Sequence, residues 1–370
     1  MTHSTTVFAH THAIIDLAAL KHNADIVRQS APNSKIMAVI KADAYGHGML
    51  EVANALSSVD GYAVARVHEA ISLREAGIKK PILVLMGFAT SDEVSMFSRH
   101  DLDAVIHNEH QLELLNSSVI AQPISVWLKI NTGMNRLGVD APEVRRLNDI
   151  MALSGKVRLP IKLMTHLACA DDMNSNMTEA QIQLFDQSVD GLVGEQSITN
   201  SAGIIGWKYA QRQWVRPGIM LYGGNPFSSG KAEELGLKPV MTLKSNVVSL
   251  RSVKKGQSVG YGASWAPNRT SLIATIGIGY GDGYPRHAAH GTPVVIGGQK
   301  APLVGRVSMD SINVDVSQCR NISIGDEAIL WGEGLPIDDV AENSETISYE
   351  LMCGITERVN RRYQESDNGE

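Results

Sequence analysis

The stretch Ala38-Val39-Ile40-Lys41-Ala42-Asp43-Ala44-Tyr45-Gly46-His47-Gly48 starts inside an apolar run, residues 36–40, and breaks at a lysine followed by small residues. The run has the length and composition of a buried strand. A lysine at its end has two readings. Its stem can snorkel and carry the ammonium to water. Alternatively the site uses it: a desolvated amine has a lowered pKa and becomes a nucleophile at neutral pH, as Schiff-base lysines require.

Outward from this stretch the chain alternates. Residues 16–30 carry a helical pattern (Leu17, Leu20, Ile26, Val27) that stops before Pro32. Strand-like runs lie at 36–40, 62–65, 82–86, 104–106, 124–130, 161–164, 196–199 and 214–221. Helical patterns at 50–56, 68–76, 91–98, 109–115, 141–153 and 178–192, with a short one before 214, separate them. Strands alternating with helices imply right-handed crossovers and a parallel sheet. Eight continuous apolar strands point to a closed (β/α)₈ barrel of the TIM type. A doubly wound open sheet is the alternative, but it usually carries GxGxxG after its first strand, where this chain has Lys41-Ala42-Asp43.

The pattern changes near Gly236. Runs at 241–253, 271–278, 292–296, 302–307, 312–316 and 328–331 read as strands separated by Gly-rich turns, closed by short helices near 338–343 and 348–354. The expected organisation is a tail at 1–11, a barrel at 12–235 and a mostly β domain at 236–370. The residues after Val359 are expected to fray.

The bulk properties agree with a two-part globular protein. The 370 residues exceed one ordinary core, and 44% hydrophobic with 19% charged residues supply ample core material. A net charge of −6 without a Lys/Arg run argues against nucleic acid or another polyanion. Cys169, Cys319 and Cys353 are odd in number and widely spaced, which suits a reducing compartment and an expected cytoplasmic location. Residues 1–12 hold His3, His10 and His12 but no basic segment followed by an apolar core, so neither a signal peptide nor a membrane span is expected. Those histidines read as part of a tail rather than as a metal site.

Barrel active sites lie at the C-terminal strand ends. Those ends carry Lys41 with Tyr45 just beyond; Lys129 and, eight residues into Lys129-Ile130-Asn131-Thr132-Gly133-Met134-Asn135-Arg136, Arg136; then His166; Asn200-Ser201; and Arg216 followed by Gly218 and Ile219. The ends of the seventh and eighth strands are the usual phosphate position, where the Ser201 hydroxyl and the Gly218 and Ile219 N–H groups could serve. Asn-Ser is also an ordinary helix N-cap. His166 alone is as well explained as a satisfied core histidine.

The Lys41 stretch, with residues 129–138 and Val215-Arg216-Pro217-Gly218-Ile219-Met220-Leu221-Tyr222-Gly223, resembles the alanine racemase family of pyridoxal 5'-phosphate (PLP) enzymes. The resemblance extends over about residues 12–360. It implies that Lys41 carries PLP and acts as one base, and that Tyr261 in Val259-Gly260-Tyr261-Gly262, from the other subunit of a homodimer, acts as the second. Racemisation needs one group on each face of the reacting carbon. It also implies that Tyr45, His166, Asn200, Ser201, Arg216, Gly218, Ile219 and Tyr349 hold the cofactor, and that Arg136 and the Met309 N–H meet the substrate. Lys129 would be carbamylated, and Asp171, Tyr280 and Arg286 would line the access corridor. An arginine at 216 can only donate a hydrogen bond to the pyridine nitrogen, which suits proton removal and return. The implied role is interconversion of L- and D-alanine for peptidoglycan. A racemase of broader specificity, a decarboxylase on the same fold and a non-catalytic PLP carrier are the alternatives. Arg216 weighs against the decarboxylase, and Tyr261 and Met309 against the carrier. Position 197 is Ser where some members have a histidine bonded to this arginine, so the setting of Arg216 is expected to differ, through His166 or water.

Overall fold

The computed structural model describes residues 11–365; His3 and His10, with most of the expected tail, lie outside them. The chain begins with strand β1 (His12–Asp16), which runs straight into helix Leu17–Ser30. Asp16 caps that helix, its carboxylate accepting the Ala18 and Ala19 N–H groups at 2.9 Å.

The barrel strands follow: β2 (Lys35–Val39), β3 (Gly61–Val64), β4 (Ile82–Val84), β5 (Asp103–Ile106), β6 (Ile124–Asn131), the two-residue β7 (Val139–Asp140), then β8 (Val157–Met164), β9 (Gln196–Ser197) and β10 (Trp214–Val215). Eight of them pair in the order β5-β4-β3-β2-β10-β9-β8-β6, and β5 pairs with β6, which closes the ring. All these pairings are parallel. β7 hangs on β6 and ties down the loop between them. Outside the N-terminal ends of β2 and β8 the strands are largely buried on both faces, as the continuous apolar runs require. The expected (β/α)₈ barrel is thus the observed one.

The last barrel strand is shorter than its apolar run. Only Trp214 and Val215 pair; Pro217 offers no N–H to a ladder, Gly218 turns the chain (φ −122°, ψ −96°), and residues Ile219–Tyr222 form a 3₁₀ turn.

The second part is a β structure of β11 (Met241–Val253), β12 (Ser271–Ile276), β13 (Pro293–Ile296), β14 (Gln299–Val304), β15 (Ile312–Asp315), β16 (Glu327–Trp331) and β17 (Asn360–Gln364). Its order is β12-β15-β14-β13-β16-β11-β1-β17, and the 13-residue β11 also pairs with β12. Two ends of the chain depart from expectation. β1, which falls in the span 12–235 expected for the barrel, belongs to this second sheet, antiparallel to β11. Residues 360–364, expected to fray, form a strand parallel to β1, with His12 opposite Asn360. Most buried apolar residues of both parts form one continuous cluster, and Val253, Val259, Ile273 and Val304 form a small second one. No helix among the described residues is long and apolar enough to cross a membrane.

Candidate active site

Lys41 stands just past β2, and the chain after it turns with the wrong hand. Ala42, Asp43, Ala44 and Tyr45 all have φ between 52° and 54°. For residues with a Cβ this conformation costs ~1–2 kcal/mol each, so the turn needs support. Asp43 accepts the Met49 N–H at 2.8 Å. His47 Nδ1 lies 3.0 and 2.9 Å from the Ala44 and Tyr45 carbonyls, which fixes the ring proton on that nitrogen. Burial pushes the imidazole down to about 4, so it stays neutral. From β17, Arg361 donates to the Gly46 carbonyl at 2.7 Å. Gly46 (φ 79°) admits no side chain, because a Cβ there would sit 2.2 Å from the Met352 carbonyl oxygen.

This turn places Lys41 and the Tyr45 ring in one cavity of about 1380 Å³ between the barrel mouth and the second part. Tyr45 is buried and stacks on Tyr222 at 4.7 Å, with Tyr349 6.0 Å away. Tyr222 is itself fixed by donating to the Val39 carbonyl at 3.0 Å. Burial raises the Tyr45 phenol well above its ordinary range, and pushes Tyr349 up to about 12. Both are protonated donors at neutral pH.

Lys231 and the carboxylates Asp171, Glu233, Asp338, Asp339 and Glu342 also line the cavity, but four cations act on one another there: Lys41, Lys129, Arg136 and Arg216. Among the described residues none of them has an ion-pair partner. The consequence falls on the lysines. Burial, then Arg216, Arg136 and Lys41, lower Lys129 to about 8. Burial and then Arg136 lower Lys41. Burial and these four cations also hold His166 well below the ordinary imidazole range.

Arg216 is buried and its setting is specific. It donates to the Thr165 carbonyl at 2.6 Å, the Ile198 carbonyl at 3.3 Å and the Ser197 hydroxyl. Ser197 in turn donates to the Trp214 carbonyl at 2.8 Å. A serine hydroxyl therefore holds Arg216 alongside His166, the partner that was expected. His166 Nδ1 lies 3.4 Å from the guanidinium; since Arg only donates, Nδ1 accepts and the imidazole proton sits on Nε2.

On the ends of β9 and β10, Asn200 caps a short helix, its side chain accepting the Gly203 N–H at 3.0 Å. The Ser201 hydroxyl accepts from Gly218 at 2.9 Å and Met220 at 3.4 Å, which leaves its own proton to give. A Cβ on Gly218 would stand 2.6 Å from the Tyr45 hydroxyl, so the glycine keeps this cradle open. Asn200, Ser201, Gly218, Ile219, Tyr349 and Asp171 all line the cavity.

The other expected residues do not line this cavity in the single chain. Tyr261, Met309 and Tyr280 are 70%, 52% and 41% exposed, and Arg286 is exposed as well. Their loops are tied together on the second part. The Tyr280 N–H donates to the Ser308 carbonyl at 3.0 Å and the Gly281 N–H to Met309 at 2.8 Å, while Gly262 packs against the Arg306 guanidinium.

Several supporting residues were not read from the sequence. Gln181 on helix Met177–Val189 is fully buried; it donates to Thr132 and the His166 carbonyl and accepts from Ala168, joining the ends of β6 and β8. Arg361 and Glu69 brace the turn after Lys41. Their signal was weak because polar residues on amphipathic helices and edge strands read as solvated.

Fold and site define a barrel enzyme with a lysine at the centre of a cationic cavity, joined to a β domain. Residues 15–226 match the family described as alanine racemase, N-terminal domain, and residues 240–363 match alanine racemase, C-terminal domain. Alanine racemase of Vibrio vulnificus is 47% identical over 353 residues, covering 95% of this chain and 99% of that one. Alanine racemase of Coxiella burnetii is 46% identical over 352 residues, 94% of this chain and 97% of that one. The crystal structure of the biosynthetic alanine racemase from Pseudomonas aeruginosa superposes with a TM-score of 0.93 at 42% identity, covering 96% and 99% of the two chains. The chain belongs to the alanine racemase family and is an enzyme of the racemase class.

Proposed function

We propose that this chain interconverts L- and D-alanine with PLP, in a site completed by a second copy. The observation that carries the reading is the group of four unpaired cations that includes Lys41, in the cavity that also holds the cradle formed by Ser201, Gly218 and Tyr45. An anionic phosphate and an anionic substrate carboxylate are what such a cavity lacks. PLP fits these residues. Lys41 would carry it, and Ser201, Gly218, Ile219 and Tyr349 would hold its phosphate. Tyr45, His166 and Asn200 would line its site, and Arg216 would donate to its ring nitrogen. Bound there, PLP supplies an electron-withdrawing ring that makes the substrate's Cα–H acidic.

The chain's own groups do the rest. Arg216, held by Ser197 and two carbonyls, stays a donor and cannot protonate a ring nitrogen. Arg136 orients the substrate carboxylate, aided by the Met309 N–H of the second copy. Lys41, whose amine is lowered by burial and Arg136, moves the proton on one face. Tyr261 of the partner subunit moves it on the other, with His166 as its hydrogen-bond partner and Arg216 behind. Asp171 with Tyr280 and Arg286 would form the access corridor. Lys129, with a depressed amine among three other cations, is placed to react with CO₂; the carbamate would face Arg136 as an anion. The working unit is a homodimer in the bacterial cytoplasm, the barrel lying within 17–235 and the β domain spanning 236–370 with β1 added to it, and its D-alanine serves peptidoglycan.

The test is chiral chromatography of purified protein with PLP, offered L-alanine, L-serine, L-lysine and L-arginine separately. Conversion of L-alanine towards an equal mixture, well ahead of the others, is expected. Comparable rates on serine or the basic residues would make it a broader racemase. No D-product with PLP bound would return the decarboxylase and carrier readings.

A further inference from the structure

The first peptide after Lys41 is held from outside its own loop. Glu69 lies in the first turn of helix Val67–Glu75 and accepts three backbone N–H groups, each at 2.8 Å. Oε2 takes those of Ala65 and Arg66, at the end of β3. These two bonds are an ordinary capping arrangement. The next unit repeats it: Glu93, in the first turn of helix Ser91–His100, accepts the Ala89 N–H at 2.6 Å. Glu69 goes further. Its Oε1 reaches across to the loop of the preceding strand and takes the Ala42 N–H.

Ala42 is the residue where the backbone turns left-handed (φ 53°, ψ 55°), and it is exposed. Water would otherwise compete for its N–H. We propose that Glu69 is a positioning residue for the reaction: its carboxylate ties the Lys41–Ala42 peptide to the end of β3 and so sets the direction in which Lys41 enters the cavity. This rests on the reading of Lys41 as the PLP-bearing lysine. A carboxylate is required because both of its oxygens accept. An amide has one oxygen, so a glutamine can keep Ala42 or the β3 pair, with its NH₂ facing the other donors. The Glu69 charge also opposes the lowering of the Lys41 amine by burial and Arg136.

The test uses full-length wild type, Glu69→Gln, Glu69→Ala and two controls, Glu93→Gln and Glu93→Ala, which disturb a cap without touching the lysine's turn. Each is freed of bound cofactor and titrated with PLP, with Tm recorded. Deuterium uptake of the peptide holding Ala42 is followed in parallel. Glu69→Gln keeps size and helix propensity, so its effect is read in a folded protein. The expected result is a Kd for PLP raised about tenfold or more in both Glu69 variants, as loss of a hydrogen bond to a charged group implies. Faster exchange at Ala42 should accompany it. The Glu93 variants should lose a similar increment of Tm and keep Kd within about twofold. Glu69 variants whose Kd matches wild type, or falls off only in step with Tm as in the controls, overturn the proposal. Should wild type itself fail to take up PLP, the cofactor reading fails. Exchange at Ala42 then still decides whether Glu69 fixes this peptide, and unchanged exchange overturns it.

Discussion

Replacing Lys129 with methionine should stabilise the cofactor-free chain at neutral pH when CO₂ is excluded. Lys129 is buried on β6 and its amine is held at about 8 instead of 10.5 by burial and by Arg216, Arg136 and Lys41. A lowered amine means that the folded state disfavours the charged form. The penalty is whole below about pH 8, amounts to about 3 kcal/mol, and fades as pH rises from about 8 towards 10.5. Wild-type stability therefore climbs through that window relative to Lys129→Met. The gap between the two should be up to about 3 kcal/mol at pH 7 and about 1.4 kcal/mol at pH 9.5.

Bicarbonate supplies the second arm. At pH 7 about one amine in ten is neutral and able to attack CO₂. Carbamylation turns the cation into an anion among three positive groups, so bicarbonate should raise the wild-type urea midpoint and leave Lys129→Met unmoved. Urea denaturation at the two pH values, with and without bicarbonate, reads both effects. Intact mass should show one added carboxylate group on wild type only. A Lys129→Met chain no more stable than CO₂-free wild type at pH 7 would refute the electrostatic reasoning. Equal bicarbonate shifts in both chains would refute the carbamate.

Ser197→Ala should cost about 2 kcal/mol in urea unfolding, because it strips a buried guanidinium of one acceptor and the Trp214 carbonyl of its donor; a neutral result would mean that Arg216 is held by the Thr165 and Ile198 carbonyls alone. Gly218→Ala places a Cβ 2.6 Å from a Tyr45 hydroxyl whose ring is pinned by Tyr222. It should cost about 1–3 kcal/mol and weaken PLP uptake, and unchanged uptake by absorbance titration would contradict the cradle. Tyr261→Phe should slow α-proton exchange by about 10²-fold or more, unequally from the two enantiomers; equal small losses would remove it as a base. Verified heterodimers of Lys41→Ala and Tyr261→Ala chains should regain sites holding both native residues, and no recovery would count against a shared site.

The barrel was legible because each strand–helix unit carries its own local pattern, and a strand ending in Lys41, Lys129, His166 or Arg216 announces a functional strand end. The ends of the chain were not legible. His12 pairs with Asn360 across nearly the whole sequence, and parallel pairing at that separation leaves no local mark; residues 360–364 read as polar and loose because one side of that strand faces solvent. The run at 214–221 was read as one strand because its apolar residues are continuous, yet Pro217 and Gly218 end the ladder after Val215. The site divides in the same way. Side chains that point into the cavity come from strand ends, where position alone suggests a role. Glu69 captures backbone N–H groups of two loops, Gln181 joins the backbone after β8 to the Thr132 hydroxyl, and Ser197 bonds a residue nineteen positions on. Nothing in their own neighbourhood distinguishes them from a helix cap, an amphipathic face or a buried strand hydroxyl.

The electrostatics of the cavity and the exposure of the second part bear on the same question. One chain gathers Lys41, three further cations and a neutral His166, and its own carboxylates leave these charges unpaired. Such a cavity is suited to anionic guests. It can bind a phosphate and a carboxylate, and it offers Lys41 as one proton carrier, but the phenols that line it, Tyr45, Tyr222 and Tyr349, are all held in the protonated form by burial. None of them can serve as the opposing base. The large side chains of Tyr261, Tyr280 and Met309 stand exposed on linked loops of the second part. Exposed apolar groups brought together in this way mark contact surfaces. On the proposed two-base reading, a second copy that covers them would bring the Tyr261 phenol to the face of the cavity opposite Lys41.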